Sequence, residues 1–302
     1  MHDKNNEYYK FALNDQESLM KYRIYALTLV HAISTLLAAP VEKYEVETEY
    51  QNGKQEIRVL LPDDYKMTRS YQVLYVLPVE KAFRNRFGYG LGVLEEMNAH
   101  NRYNLIIVQM GFEKEPWFGD HATDPKVRQA SYVKEYVVPF IEKNYSTLGT
   151  SEGRLLLGFS KSGWGAFSLI LKHPDFFGYA AAWDAPVSFT KFRYGMASVY
   201  GTPKQLALYR PDLLIPKQKR SFDKIRLVLT GQKLWGKETT KTHKLLNSEG
   251  IRHHYDNTLE CPHRWDKTWM EPTLSVLVTI AQEHITKKRE QSGAPDTDKL
   301  RR

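Results

Sequence analysis

The chain has 302 residues, 42% hydrophobic and 13% aromatic, and is therefore long enough to bury the core of a large globular domain. Its formal net charge is +8, from 43 Lys and Arg against 35 Asp and Glu. The positive charge forms no stripe interleaved with aromatic residues, and no zinc-ligand spacing is present, which argues against a nucleic-acid partner.

The amino-terminal region has the layout of a secretory signal. Lys21 and Arg23 precede an apolar run over residues 24–39, which ends in small residues before Pro40. A basic start, a short apolar stretch and a small-residue exit are typical of a signal peptide. Residues 20–39 are therefore predicted to be one, and the mature protein is expected to be secreted or periplasmic.

The polar stretch before this segment is unusual for a signal. Residues 1–19 are interpreted as an extension that precedes the true start of translation at Met20. The apolar run is short for a bilayer span and no later run reaches about 18 apolar residues, so no stable membrane span is expected. A helix packed on the domain and an uncleaved anchor are the alternative interpretations.

Strand and helix patterns alternate along the rest of the chain. Two alternating segments, Tyr44 to Tyr50 and Gln55 to Leu61, flank Asn52-Gly53, a pair suited to a tight hairpin turn. Further strands are predicted over residues 73–77, 105–108, 154–157, 179–183, 225–230 and 251–255. Helices are predicted over residues 92–100, 129–145 with a kink at Pro139, 163–172, 238–248 and 272–285.

This alternation predicts a three-layer α/β fold, with a mostly parallel central sheet and an N-terminal antiparallel hairpin. Residues 40–286 are predicted to form one catalytic domain, in which residues 185–223 are a less regular, lid-like insertion. Residues 287–302 are charged and nearly devoid of apolar side chains, so this tail is predicted to be disordered.

The strongest local signal is the segment L-L-L-G-F-S-K-S-G-W-G-A, which begins at Leu155. It places Ser160 at a sharp turn between a strand and a helix, with the small residues Gly158 and Ser162 two positions to either side. Such a turn strains the serine backbone and exposes its hydroxyl at the carboxyl end of the sheet. Ser160 is therefore the predicted nucleophile, and the amide of Lys161 at the helix start is a predicted oxyanion donor.

A serine hydroxyl needs a base that accepts its proton, and in this topology the base follows later in the chain. His263 lies in C-P-H-R-W-D-K, between the last predicted strand and the last helix, which is the required place. The competing residues His243, His253 and His254 lie in a predicted helix or at the start of a strand. His263 is therefore the predicted general base.

Several motifs together resemble those of one enzyme family. They are V-L-Y-V-L from Val73, Y-V-V-P-F-I-E-K-N-Y from Tyr136, the turn G-F-S-K-S-G-W-G-A, H-P-D-F-F from His173 and H-R-W at His263. The stretch from about residue 44 to 285 resembles the esterase family that includes S-formylglutathione hydrolase, feruloyl and acetyl xylan esterases and the antigen 85 acyltransferases. The resemblance implies an α/β-hydrolase fold in which the family's serine and histidine correspond to Ser160 and His263.

The acid of the triad departs from the family pattern. The family has an aspartate in G-x-x-D after the penultimate strand, whereas this chain has Leu234 at that position. Asp184 follows the preceding strand at the same edge of the sheet, where α/β-hydrolases are known to place the acid instead. Asp184 is therefore the predicted acid, and Glu238 and a site without a strong acid are the alternatives.

The oxyanion hole is the second departure. The family usually has a His-Gly pair after the strand that begins at Val73, and this chain has Pro78-Val79. Pro78 has no amide hydrogen to donate. The backbone of Val79 is therefore the predicted second donor, with Glu80 as the alternative.

The loop over residues 111–124 follows a central strand and is predicted to line the pocket. The predicted substrate-binding side chains are Trp117, Phe118, Asp120, His121 and Trp164. A packed aromatic loop is the alternative. One Asp-His pair without further spaced ligands does not predict a metal site, and no cofactor is implied.

These residues predict a serine hydrolase that cleaves carboxylic esters through an acyl-enzyme. The expected substrate is a small-molecule or polysaccharide ester, and acyl groups on carbohydrates are one candidate class. Acyl transfer by the same groups is one alternative. A non-catalytic carbohydrate- or partner-binding module on a hydrolase scaffold is the other, because fold alone does not establish activity.

Overall fold

Strands and helices alternate throughout the part of the chain that the computed structural model describes, residues 41–292. The predicted signal peptide, the extension before it and residues 293–302 of the predicted tail lie outside the described residues. The strands are β1 Glu42–Glu47, β2 Lys54–Leu60, β3 Gln72–Val76, β4 Leu105–Met110, β5 Arg154–Phe159, β6 Tyr179–Trp183, β7 Leu227–Thr230 and β8 His254–Asp256.

The helices connect these strands or flank them. They are α1 Gly90–Glu96, α2 Ala99–Arg102, α3 Gln129–Ser131, α4 Val138–Asn144, α5 Ser160–Lys172, α6 Met196–Tyr200, α7 Pro203–Ala207, α8 Pro211–Leu214, α9 Gly236–Ser248 and α10 Lys267–Ser292. Short 3₁₀ turns cover Ser151–Gly153, Ile215–Lys217 and Lys219–Phe222, and a π-helical segment covers Tyr132–Val137. Among the described residues, none of the helices combines the length and apolar character needed to cross a membrane.

The strands form one eight-stranded sheet in the order β1-β2-β4-β3-β5-β6-β7-β8. Strand β2 is antiparallel to both of its neighbours, and every other pairing from β4 to β8 is parallel. Parallel strands need crossover helices, so the connections cover both faces of the sheet. This confirms the predicted three-layer α/β-hydrolase fold with its N-terminal antiparallel hairpin.

The central strands carry buried side chains on both faces. In β5, Leu156 contributes to the core on one face, whereas Leu155 and Leu157 contribute to the core on the other. Helix α5 packs on the first face through side chains such as Phe167, and α10 packs on the second through side chains such as Leu274. The alternating side chains of a strand point to opposite faces, which is why these continuous apolar runs need a layer on each side.

Two predicted helices are divided or irregular. The helix predicted over residues 92–100 is two short helices, because Asn98 adopts the left-handed conformation with φ 54° between α1 and α2. Asparagine tolerates this conformation better than most residues. The helix predicted over residues 129–145 has a π-helical segment before Pro139, whose missing amide hydrogen disturbs the regular hydrogen-bond pattern.

The last helix differs from its prediction at both ends. It begins at Lys267 and not at Pro272, because the Asp266 carboxylate accepts the Thr268 amide at 2.9 Å and caps it. It also continues to Ser292, so the disorder predicted from residue 287 is wrong for residues 287–292. In this stretch Lys288 donates to the Glu152 carboxylate at 2.6 Å, which gives a charged helical end a partner on the domain.

The segment over residues 185–223, predicted to be a lid-like insertion, contributes to the main core. Its helices α6 and α7 bury Val199, Tyr200 and Leu206, and Phe222 is buried at its end. Its first part is more exposed: Tyr194 retains 67% of its accessible surface. The helices of this segment therefore belong to the core of the domain, whereas its first part lies at the surface.

Candidate active site

Ser160 lies at the junction of β5 and α5, at the carboxyl end of the parallel sheet. Its backbone adopts φ 51°, a conformation that non-glycine residues rarely take. Such strain persists only where the surrounding structure enforces it, and it frequently marks functional residues. The turn therefore has the strained backbone predicted for a nucleophilic serine.

Small residues around Ser160 make this turn sterically possible. A Cβ atom added to Gly158 would lie 2.3 Å from the Ser162 carbonyl oxygen, and one added to Gly163 would lie 2.7 Å from the Ala185 Cβ. The buried Ser162 hydroxyl accepts the Phe159 amide at 3.1 Å and donates to the Phe159 carbonyl at 2.9 Å. The serine at a position where the common pattern has glycine thus fits the turn and hydrogen-bonds across it.

His263 lies in the loop between β8 and α10. Its Nε2 is 3.0 Å from the Ser160 Oγ, and its Nδ1 is 2.7 Å from Asp184 Oδ2. Two residues after the histidine, the Trp265 amide donates to the Phe87 carbonyl at 2.7 Å, which anchors the loop. The ring centroids of Phe87 and Phe159 are 5.9 and 5.2 Å from that of His263, both edge-on, so the imidazole is confined between apolar rings.

Asp184 follows β6 directly and its side chain is fully buried. Its carboxylate accepts the backbone amides of residues 233, 234 and 235 at 2.8 to 3.1 Å, in addition to the bond with His263. Burial raises the pKa of Asp184, but the hydrogen bonds from His263 and these amides outweigh burial and hold the pKa below its usual range. Asp184 is therefore a carboxylate, and His263 Nδ1 carries the hydrogen that it accepts.

The alternative acid, Glu238, lies elsewhere. Its carboxylate contacts the Ser188 hydroxyl and pairs with Lys241 at 3.1 Å. Of the two candidate acids, only Asp184 has a hydrogen bond to His263 among the described residues.

The predicted oxyanion donors lie at the ends of β3 and β5. Val79 is buried just beyond β3, where the Leu77 amide donates to the Leu157 carbonyl at 2.9 Å and ties the two strands together. Lys161 is in the first turn of α5, where backbone amides lack intrahelical acceptors. Within the described part of the chain, neither the Val79 nor the Lys161 amide donates to a backbone carbonyl outside its own helix or strand.

Three predicted substrate-binding aromatic residues belong to the core. Trp117, Phe118 and Trp164 have no exposed surface. The Trp117 and Trp164 rings pack edge to face at 5.8 Å, and a Cβ on Gly165 would lie 2.1 Å from the Phe118 ring. The prediction that these rings line an open pocket is corrected, because all three are fully buried. The loop over residues 111–124 is instead the packed aromatic loop named as the alternative.

Asp120 and His121 make hydrogen bonds that organise this loop. The Asp120 carboxylate accepts the Ser131 amide at 3.0 Å and the Ser131 hydroxyl at 2.8 Å. The His121 Nδ1 accepts the Asp124 amide at 2.9 Å. Within the described residues, no group of three or more His, Cys, Asp or Glu side chains is arranged to hold a metal ion.

The sequence did not reveal the loop that supports the acid. The three amides over residues 233–235 occupy the place where the family pattern has its aspartate, and they bind the carboxylate of Asp184 instead. Gly231 begins this loop with φ 88°, and a Cβ there would lie 2.3 Å from the Trp183 ring. The glycine after β7 was the only local sign of a tight turn in this loop. Backbone amides are present in almost every residue, so the sequence does not show which of them bind a carboxylate.

A second residue pair near the nucleophile also escaped sequence reasoning. The Lys161 ammonium group donates to the Glu115 carboxylate at 2.8 Å, and the lysine side chain is only 15% exposed. This contact joins the turn at Ser160 to the loop over residues 111–124. The pairing of two charged residues 46 positions apart has no local sequence pattern.

The chain is similar to several known proteins. It is 28% identical over 152 residues to Esterase Rv1288 of Mycobacterium tuberculosis, which covers 48% of this chain and 32% of that protein. The chain thus spans about a third of the length of this curated relative. Among solved structures, a ferulic acid esterase superposes with a TM-score of 0.62 at 17% identity, covering 80% of this chain and 98% of that one.

A further similar structure is MPT51 of Mycobacterium tuberculosis, with a TM-score of 0.66 at 14% identity and coverage of 81% and 100% of the two chains. The family model described as "Putative esterase" matches residues 48–269. The matched range contains Ser160, Asp184 and His263, the three residues that the two hydrogen bonds join. The resemblance predicted from the sequence is confirmed, and the chain belongs to the Putative esterase family.

Proposed function

We propose that this protein is a serine hydrolase that cleaves carboxylic esters. The observation that carries the proposal is the pair of hydrogen bonds that joins Ser160 to His263 at 3.0 Å and His263 to Asp184 at 2.7 Å. Membership of an esterase family supports the same activity. This pair of hydrogen bonds favours an enzyme over a non-catalytic binding module, since binding alone does not require a serine, a histidine and an aspartate joined in this order.

In the proposed first step, the Ser160 Oγ attacks the ester carbonyl carbon as its proton passes to His263 Nε2. The imidazole can accept this proton because Asp184 binds the hydrogen on Nδ1 and leaves Nε2 unprotonated. The positive imidazolium that forms lies 2.7 Å from an ionised carboxylate, which stabilises it. Asp184 stays ionised throughout, consistent with its lowered pKa.

The carbonyl oxygen becomes negative as the tetrahedral intermediate forms. We assign the backbone amides of Lys161 and Val79 as its donors, since among the described residues neither donates to a backbone carbonyl outside its own helix or strand. The intermediate collapses when His263 gives its proton to the departing alcohol. Water then attacks the acyl carbon as His263 takes one of its protons. The bond between the acyl carbon and Ser160 Oγ breaks as His263 gives that proton to Oγ, and the free acid leaves.

Acyl groups on carbohydrates are the proposed substrate class. A ferulic acid esterase among the similar structures supports this choice at the level of a shared fold. Transfer of the acyl group to a sugar would use the same first step with a different acceptor. Hydrolysis is the simpler proposal, because it needs no acceptor site besides access for water.

A fluorophosphonate probe tests the nucleophile directly. We expect the probe to label the native protein on Ser160, as located by peptide mass spectrometry, because only a hydroxyl beside a base attacks phosphorus readily. A short ester substrate should compete with labelling, and heat-denatured protein serves as the control. Absence of labelling in the folded protein, or labelling of another serine, would contradict the proposal and favour a binding module.

We further propose that the mature protein is secreted or periplasmic. The support is the basic start and apolar run of residues 20–39, which lie outside the described residues. Expression from Met20 in a bacterium should yield a mature protein that starts between Ala39 and Val41, as determined by N-terminal sequencing of the exported fraction. Soluble protein that retains Met20 would remove the signal-peptide interpretation.

A further inference from the structure

A positively charged groove lies beside the loop that holds Asp184. Its larger part has a volume of about 740 Å³ and is lined by residues 232–238 and by one side of α9. A smaller cleft of about 180 Å³, lined by residues 188–191 and Arg193, shares Glu238 and Lys241 with it. The two cavities adjoin at these two residues, and together we call them the lysine groove.

Most of the charge in the lysine groove is not neutralised by the protein. Four exposed cationic side chains have no carboxylate within ion-pair distance among the described residues: Lys191, Arg193, Lys237 and Lys244. Lys241 pairs with Glu238 at 3.1 Å, and Lys233 pairs with Glu260 at 2.8 Å. The groove therefore presents a net positive surface that favours an anionic ligand.

The arrangement of lysines on α9 does not help the helix. Lys237, Lys241 and Lys244 are spaced at i, i+4 and i+7, so they lie on the same face. Like charges at this spacing repel each other, and positive charge near a helix N-terminus opposes the helix dipole. A bound anion would relieve both effects, so the spacing is better explained by a ligand than by helix stability.

Aromatic rings border the same groove. Phe189 and Trp235 pack edge to face at 5.1 Å, and the Tyr194 ring lies 6.0 Å from Trp235 with 67% of its surface exposed. Aromatic faces next to cations suit a ligand that combines apolar ring surfaces with negative charge. The Trp235 amide donates to the Asp184 carboxylate at 2.8 Å, so the groove begins next to the triad.

We propose that the lysine groove binds an acidic polysaccharide, a sugar polymer that carries uronate carboxylates, as the alcohol part of the ester. This inference rests on the proposed function and narrows its substrate class. Sugar rings would lie against Tyr194 and the carboxylates against the lysines of α9.

An anionic membrane is the competing ligand. Membrane binding by a surface requires a substantial apolar face in addition to basic residues. Of the exposed large apolar side chains among the described residues, only Leu234 lines the groove, and Tyr194 borders it. The apolar area is therefore too small for insertion, and the polysaccharide is the better match.

The test measures binding without hydrolysis, by isothermal titration of polygalacturonate into the full chain at low ionic strength, with neutral dextran as the uncharged probe. The double variant Lys237→Gln/Lys244→Gln removes two unpaired charges and retains helix-compatible residues. We expect its dissociation constant for polygalacturonate to rise about tenfold, the size expected for two exposed charge contacts. Dextran should bind far more weakly than polygalacturonate.

The matched control is Lys66→Gln/Lys143→Gln, which removes the same charge from two exposed lysines that precede β3 and β5, at the opposite edge of the sheet. Its affinity for polygalacturonate should stay within twofold of the wild type. Equal weakening in both double variants would show attraction by net charge alone and overturn the proposal, as would absence of binding. Circular dichroism establishes that each variant is folded.

Vesicles of phosphatidylglycerol and phosphatidylcholine test the competing ligand. If the variant of α9 loses vesicle binding and keeps its affinity for polygalacturonate, the groove is a membrane site and the proposal is wrong. The titration requires no turnover, so its outcome is independent of the fluorophosphonate result. Failure of labelling with retained selective binding would remove the esterase proposal, and with it the role of the polymer as part of an ester, and would leave the groove as a binding site for the polymer.

Discussion

The variant Ser160→Ala is expected to lose hydrolysis of short p-nitrophenyl esters by about 10⁵- to 10⁶-fold in kcat, as when the nucleophile of a serine hydrolase is removed. The physical reason is that, among the described residues, Ser160 carries the hydroxyl that is hydrogen-bonded to His263 Nε2. The serine is half-buried at a turn and supports little packing. Its removal should therefore leave the fold intact, and the measurement is initial rate against substrate concentration.

Ser168→Ala provides a matched control within the same helix. Ser168 is buried in α5, and its hydroxyl donates to the Tyr209 carbonyl at 2.7 Å, away from the triad. Losing this bond should lower the free energy of unfolding by about 1 kcal/mol and leave ester hydrolysis within a few fold of wild type. Comparable activity of the Ser160→Ala and wild-type proteins would show that the serine is not the nucleophile.

The second large effect is expected for Asp184→Asn, which should lower kcat by about 10³- to 10⁴-fold with a modest change in KM. An amide cannot stabilise the imidazolium as a carboxylate does, and it favours the wrong tautomer of His263. The loss should be in kcat, because the buried Asp184 side chain cannot contact the substrate. The same p-nitrophenyl ester assay measures it.

Glu238→Gln is the control for the identity of the acid. Glu238 contacts Ser188 and Lys241, and we expect this variant to retain activity within a few fold of wild type. Circular dichroism should accompany both variants, since Asp184 also accepts buried backbone amides. A severe loss in Glu238→Gln with near-normal Asp184→Asn would assign the acid to Glu238, and full activity in both would leave His263 without a required carboxylate.

The apolar patterns of the strands and the Asn52-Gly53 turn made much of the architecture predictable. Continuous apolar runs predicted the parallel strands, and the alternating segments around Asn52-Gly53 predicted the hairpin. Element ends were less predictable. A cap at Asp266 and an ion pair at Lys288 extend the last helix beyond its apolar pattern, because both depend on single polar contacts.

For the site as well, features that depend on neighbouring residues were predictable, and contacts between residues far apart in the chain were not. Ser160 was identifiable because the strand, the small residues and the helix that constrain it are adjacent in the chain. The spatial arrangement was not, since Ser160 and His263 are 103 residues apart and Asp184 and His263 are 79 apart. Their association depends on the order β5-β6-β7-β8, which brings the carboxyl ends of these strands to one edge.

The aromatic residues show what only the tertiary structure decided. By itself the sequence determined the fold class and the strained serine, because these rest on periodicity and on a local steric requirement. It also gave the candidates for base and acid, from their positions after predicted strands and from the family resemblance. It could not determine that Trp117 and Trp164 pack against each other in the core while Tyr194 is exposed. Which face of a loop is buried depends on the elements that cover it, and those elements come from distant parts of the chain.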